Sequence, residues 1–237
     1  MRPEIRKARF ALLGLVVLLL GLTGCGDDAS TASLPAVPVP TEAPLAEGWT
    51  RHVQAEDGFS IALAPYWDKV DLDPSLLEST LDQLKDSNPK IGQLLSKQVT
   101  SLVSSGVKFW AFDQGGNVEI TGFATNLNVI VQPLPSAMSL DDFVKETISQ
   151  VDQFKQMLAG PVTHQRVTLS SGDAEKIVYH MRISVPGVSE AIQTTTTQYA
   201  VVDGARAYIL TFSALAVEAD KYASTFAKMA RTFRIVK

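Results

Sequence analysis

Apolar positions in this chain recur with two different periods, and each change of period marks a new element. Trp49 to Ala55 and Gly58 to Ala64 read as two short strands around Glu56-Asp57-Gly58. Asp-Gly between strand-like runs is a hairpin signal, because glycine tolerates the left-handed backbone of a tight turn. Phe59, Ile61 and Leu63 alternate with Ser60 and Ala62, which predicts one buried face, and Pro65 ends the strand. The period then lengthens. Asp73-Pro74 supplies an N-cap and a first-turn proline, and Leu77, Leu81 and Leu84 follow at helical spacing. Asn88-Pro89 repeats the start signal, Ile91, Leu94, Leu95, Val99, Leu102 and Val103 form a second stripe, and Gly106 stops it. Two consecutive helices are expected here.

Strand character returns at Val107 to Asp113, turns at Gly115-Gly116-Asn117 and resumes at Ala124 to Gln132. In the second of these runs Leu127, Val129 and Val131 share one face, while Asn126 and Asn128 share the other. Ser139 and Asp142 have the spacing of a capping box ahead of Leu140, Phe143, Val144, Ile148, Val151, Phe154 and Leu158, so a helix is predicted up to Gly160-Pro161. Four more strand-like runs follow: Thr163 to Ser170, Ala174 to Val185, Ile192 to Val202 and Arg206 to Ser213. Ser171-Gly172-Asp173 and Asp203-Gly204 are their turns. A last helix is read over about Val217 to Phe233 from Tyr222, Phe226, Met229 and Phe233. Hairpins with segregated helices predict α+β architecture, an antiparallel sheet with helices packed on its faces. They leave little room for βαβ crossovers.

The N-terminus follows neither period. Arg2, Arg6, Lys7 and Arg9 precede an apolar block from Phe10 to Leu22. A membrane-spanning helix needs roughly 20 residues. The block is shorter, which fits a signal peptide over residues 1–24. It ends in Leu22-Thr23-Gly24-Cys25, which resembles the lipobox of bacterial lipoprotein precursors. That resemblance implies cleavage before Cys25 and a diacylglyceryl thioether on its sulfur, with acyl chains such as palmitate. Cysteine suits the role because its thiolate alkylates readily near neutral pH. Residues 25–47 then carry Pro35, Pro38, Pro40 and Pro44 among small and polar residues, the composition of an extended tether. One domain is expected over residues 48–237.

Composition narrows the chemistry. Hydrophobic residues make up 46% of the 237 and charged residues 19%, enough apolar surface for a packed core. Without residues 1–24, 17 basic and 24 acidic residues remain, a net of −7. Such a surface repels nucleic acid, and no nucleic-acid partner is expected. Cys25 is the only cysteine, so no internal disulfide or cysteine-rich zinc site is possible.

No motif marks a catalytic centre. Gly187-Val188-Ser189-Glu190-Ala191 approaches a nucleophile elbow but lacks the second glycine. Ser87-Asn88-Pro89-Lys90 and Ser105-Gly106-Val107-Lys108 match Ser-x-x-Lys, a pattern loose enough to arise by chance. His52, His164 and His180 lack metal-ligand spacing. Asp71-Leu72-Asp73 and the Asp113 to Asn117 segment offer oxygens, but neither has a calcium-loop pattern, and turn and cap chemistry accounts for them. Trp49, Tyr66, Trp67, Phe109, Trp110 and Phe112 are expected as core or as the lining of an apolar pocket. The threonines from Thr194 to Thr197 suit a strand with one wet face. Catalytic, metal and cofactor-binding residues are therefore expected to be absent, and Cys25 is the one modification site.

Three short segments carry a wider resemblance: Gly58-Phe59-Ser60-Ile61 leading to Pro65-Tyr66-Trp67, the strand Phe109-Trp110-Ala111-Phe112-Asp113, and Thr125-Asn126-Leu127-Asn128-Val129. With the ending from Phe226 to Phe233, the pattern from Trp49 to Lys237 resembles the PsbP-like superfamily and the related LpqN-type lipoproteins of actinobacteria. The resemblance implies an αβα sandwich and a non-catalytic role. The expectation is an extracytoplasmic lipoprotein, anchored to the membrane through Cys25, that acts as an accessory or interaction protein of the cell envelope. The alternatives are a carrier of a lipid or other apolar ligand between helices and sheet, and a hydrolase with a non-standard site. An exposed apolar patch, a closed apolar cavity and a cleft of titratable groups would respectively mark the three.

Overall fold

The Asp57-Gly58 turn forms as its sequence demands. Gly58 takes φ +75° and joins β1 (Thr50–Gln54) to β2 (Phe59–Leu63). The computed structural model describes residues 45–73, 79, 82, 86, 105–115, 123–134, 136, 138–184 and 191–236. The expected signal peptide, Cys25, most of the expected tether and most of the two helices expected between 73 and 105 lie outside them. Ser79, Asp82 and Asp86, which are described, are helical and exposed.

β3 (Trp67–Val70), β4 (Val107–Asp113) and β5 (Asn126–Pro133) come next, then α1 (Leu140–Asp152). The hairpins β6 (Thr163–Leu169) with β7 (Gly172–Ile183) and β8 (Ile192–Asp203) with β9 (Arg206–Leu215) follow. A short 3-10 turn, α2 (Ala219–Arg231) and β10 (Arg234–Ile235) complete the order. Seven strands form one antiparallel sheet in the order β3-β4-β5-β9-β8-β7-β6, and β1-β2-β10 form a second, three-stranded sheet.

Strand register sorts the side chains of the large sheet onto two faces. The first face carries Phe109, Leu127, Val129, Leu210 and Phe212. Phe59, Ile61 and Leu63 of β2 and Tyr222, Phe226 and Met229 of α2 close over it to make the main core. The second face carries Ile177, Tyr179 and Ala200, on which Phe143 and Val144 of α1 pack as a separate cluster. The αβα sandwich is thus corrected for the described residues. The first face is covered by a small sheet together with a helix, because the aromatic and branched side chains of β2 occupy the place of a helical layer. Correspondingly, β2 is buried along all five residues and not on one face alone.

α1 is shorter than its apolar stripe. The Ser139 hydroxyl accepts from Asp142 N–H at 3.1 Å and donates to its carboxylate at 2.6 Å, so the cap forms as expected. The helix ends at Asp152 rather than near Leu158. Beyond it the chain gives its backbone to the sheet: Ala159 N–H donates to His180 O and Arg182 N–H to Met157 O. Those bonds to β7 outcompete another helical turn.

Candidate functional site

The asparagines and threonines singled out in the sequence meet on the second face. One row crosses the sheet as Trp110, Asn128, Thr211, Gln198 and Ile177, on β4, β5, β9, β8 and β7. The next row runs Phe112, Asn126, Ser213, Thr196 and Tyr179, and Thr194 lies beyond it beside Met181. The centre of this face is therefore neutral and polar, with Trp110 and Phe112 on one flank, ring centroids 5.9 Å apart, and Tyr179 on the other. It is also dry: Asn128 and Thr211 are each 1% exposed. Gln198 Nε2 donates to Thr211 Oγ1 at 3.2 Å. Asn128 Oδ1 and Gln198 Oε1 are buried and have no hydrogen-bond partner among the described residues. A buried amide oxygen without a donor is costly, and native structures keep few of them. Burial raises the pKa of the Tyr179 hydroxyl, and its hydrogen bond with Thr196 opposes this in part, so the flank is uncharged.

A second feature lies at the sheet edge. An open groove of about 460 Å³ between α1 and the β6–β7 hairpin is lined by Asp141, Lys145, His164, Arg166, Glu175 and two aliphatic side chains. Four of its charged side chains answer one another. Glu175, which is buried, meets His164 Nδ1 at 2.7 Å and Arg166 Nε at 3.3 Å, and Arg166 also pairs with Asp141. No hydroxyl or thiol nucleophile lines the groove.

The remaining candidates disperse. His52 tilts against Phe109, and burial followed by the charge of Lys69 holds its imidazole below the ordinary 6.5. His180 shares a hydrogen bond with Thr195 at 3.0 Å, on the opposite side of the sheet from His164. Lys108 pairs with Asp57 at 3.3 Å. Ser87, Lys90 and Ser189 lie outside the described residues. Asp71 Oδ1 accepts from Asp73 N–H at 3.0 Å, and Asp113 Oδ1 from Gly115 N–H at 3.0 Å, both local turn bonds. Asp113 also accepts from Tyr222 OH at 2.5 Å. Burial, then that bond and the carboxylate charge, push the Tyr222 pKa up.

The aromatic group divides. Trp67 and Phe109 enter the main core, Trp110 and Phe112 face the polar rows, and Trp49 packs half-buried at the core margin. Tyr66 is 80% exposed. The asparagines of the polar face were legible in the sequence, whereas the threonine run, which suits a strand with one wet face, is instead buried from Thr194 to Thr196. Thr211, Ser213 and Gln198 were missed, because only the register between β5, β9 and β8 brings them into one patch.

No protein-family profile and no curated protein matches the sequence. Among solved structures, the chain is similar to the cyanobacterial PsbP of Synechocystis, with 15% identity and a TM-score of 0.47, over 83% of this chain and 99% of that one. It is similar to LpqN, described as involved in cell envelope biogenesis of Mycobacterium tuberculosis, with 8% identity and a TM-score of 0.48, over 80% and 91%. A third similar structure comes from Bacteroides thetaiotaomicron, with 11% identity and a TM-score of 0.41, over 79% of this chain and 48% of that one.

Proposed function

We propose that this protein is an extracytoplasmic lipoprotein, anchored to the membrane through Cys25, whose domain is a non-catalytic accessory or interaction module of the cell envelope. The observation that carries the reading is the placement of the only cysteine. It stands directly after the apolar block, in Leu22-Thr23-Gly24-Cys25, and ahead of a proline-rich stretch that ends where the first described strand begins. The diacylglyceryl anchor supplies two chains, and one acyl chain alone holds a protein only marginally. The groove at the sheet edge supports the non-catalytic part. Glu175 pairs with His164 and Arg166, and Arg166 with Asp141, an arrangement that ties β6 to α1 and leaves no hydroxyl or thiol nucleophile beside the histidine.

The test is fractionation of the full precursor expressed in a bacterium fed a labelled fatty acid. The wild type is expected in the membrane fraction, labelled, with Cys25 as its first residue. Cys25→Ser is expected unlabelled and, once residues 1–24 are removed, free of the membrane. Label on the variant, or membrane association that persists after removal of residues 1–24, sinks the reading.

One observation favours a second reading, that of a carrier. The oxygens of Asn128 and Gln198, without a partner among the described residues, lie between aromatic flanks, so an occupant of that face would bring donor groups as well as apolar surface. Native mass spectrometry of the protein purified from its own host tests it. A bound mass lost on denaturation supports a carrier, and a clean apo mass removes this reading.

A further inference from the structure

We infer that the end of the domain at which the chain enters is a lipid-facing surface, with Tyr66 and Val217 set at the headgroup level. The inference rests on the anchored reading above and adds the orientation of the domain. Four observations meet at this end. The entering chain is pinned there: Trp49 N–H donates to Ala46 O at 3.1 Å, and Gly48 lies so close to Pro65 that a Cβ would come within 2.9 Å of its ring. Thr50 pairs with Leu63, so the tether arrives beside the loop that follows β2. In that loop Tyr66 takes φ +69°, the only described residue other than glycine with a positive φ, while its side chain is 80% exposed. Its carbonyl accepts from Gln114 N–H at 2.9 Å, which holds the turn in place.

A left-handed tyrosine is disfavoured, and the surrounding fold must impose it. Here it gains no core packing in return. Val217 is 92% exposed at the same end, in the turn after β9, whose last residues pair with the first residues of β8. α2 starts from this turn, and Tyr222 in it reaches Asp113 at the end of β4, next to Trp67. The other two exposed large apolar residues among the described residues, Val53 and Val236, lie with the small sheet and away from this end.

A lipid surface is the occupant that the chain itself brings near. A proline-rich tether reaches about 3.1 Å per residue when extended, so about 20 residues span at most on the order of 60 Å. The entry end is thereby kept within that distance of the membrane, and a weak contact suffices. Tyrosine suits the headgroup layer because its ring is apolar and its hydroxyl stays wet. Glu47 and Glu218 flank the end. The contact is therefore apolar in origin and weakens as anionic lipid is added.

The test uses mature residues 25–237, coupled through the Cys25 thiol to a maleimide-bearing lipid in phosphatidylcholine vesicles. Chemical coupling makes the result independent of whether a cell acylates Cys25, which the fractionation above decides separately. Tyr66→Trp and Val217→Trp are the reporters, Val53→Trp is the control, and the wild-type tryptophan signal is subtracted. Val217 is nearly fully exposed, so its variant folds even if the Tyr66 turn does not tolerate change. On coupling, both reporters are expected to shift to shorter emission wavelength and to be quenched by acyl-brominated lipid, while Val53→Trp does neither. Reporter emission that matches the uncoupled protein, or quenching no greater than at Val53→Trp, overturns the inference.

Discussion

Asn128→Leu is expected to stabilise the protein, and Thr211→Val, its neighbour in the same row, to destabilise it. Both changes nearly preserve volume, and both sites are 1% exposed, so cavities and solvation differ little between them. They differ in their hydrogen bonds. Asn128 Oδ1 has no partner among the described residues, whereas the Thr211 hydroxyl accepts from Gln198 Nε2 at 3.2 Å. Leaving a buried polar group unpaired costs about 1–3 kcal/mol, and a net hydrogen bond contributes about 1 kcal/mol. Leucine removes the first penalty, for a gain of about 1–2 kcal/mol. Valine creates a new penalty by orphaning the Gln198 amide, for a loss of about 1–2 kcal/mol. In a domain of this size each kcal/mol moves the midpoint by about 2–4 °C. Thermal unfolding of residues 25–237 followed by near-UV circular dichroism separates two shifts of opposite sign. A loss of 1 kcal/mol or more in Asn128→Leu would refute the reasoning, since it would mean that the Asn128 amide already makes hydrogen bonds worth more than its unpaired oxygen costs. A stabilised Asn128→Leu variant would show that the fold gives up stability to keep an amide in this face, as functional sites often do.

Three further outcomes follow from the core and its margins. Phe226→Ala is expected to cost about 3–5 kcal/mol in urea unfolding. The ring stacks on Phe212 at 4.9 Å and on Tyr222 at 5.7 Å, and meets Trp67 edge-on at 6.1 Å, so its loss opens the centre of the main core. Tyr222→Phe removes the 2.5 Å bond to the buried Asp113 carboxylate and is expected to cost about 1.5–3 kcal/mol by the same assay, the range for a hydrogen bond to a charged group. His52 resists protonation when folded, so stability is expected to fall as pH drops below 6.5, where the unfolded chain takes up the proton first. His52→Gln should flatten that part of the stability-against-pH curve, and an unchanged slope would exclude His52 as its source.

How far the sequence reaches depends on the range of the interaction. Local signals place the Gly58 turn, the Ser139 cap, the Asp203-Gly204 hairpin and the strands from Val107 onward to within a few residues, because turn geometry and side-chain period act over a handful of positions. β3 and β10 have four and two residues, too short for a period to register, and exist because β4 and β2 offer them an edge. The end of α1 is likewise set from outside, by backbone groups of β7. The same division holds for the candidate site. The sequence by itself determined a lone cysteine after an apolar block, a polar stripe at Asn126 and Asn128, and a run of threonines from Thr194 to Thr197. Only the tertiary structure decided that Thr194 and Thr196 share the second face with the asparagines and are buried there, that Thr211 and Gln198 join them, and that β2, not a helix alone, closes the first face. Alternation gives each strand two sides, but which sides align is fixed by register between strands distant in sequence, and no local pattern encodes that.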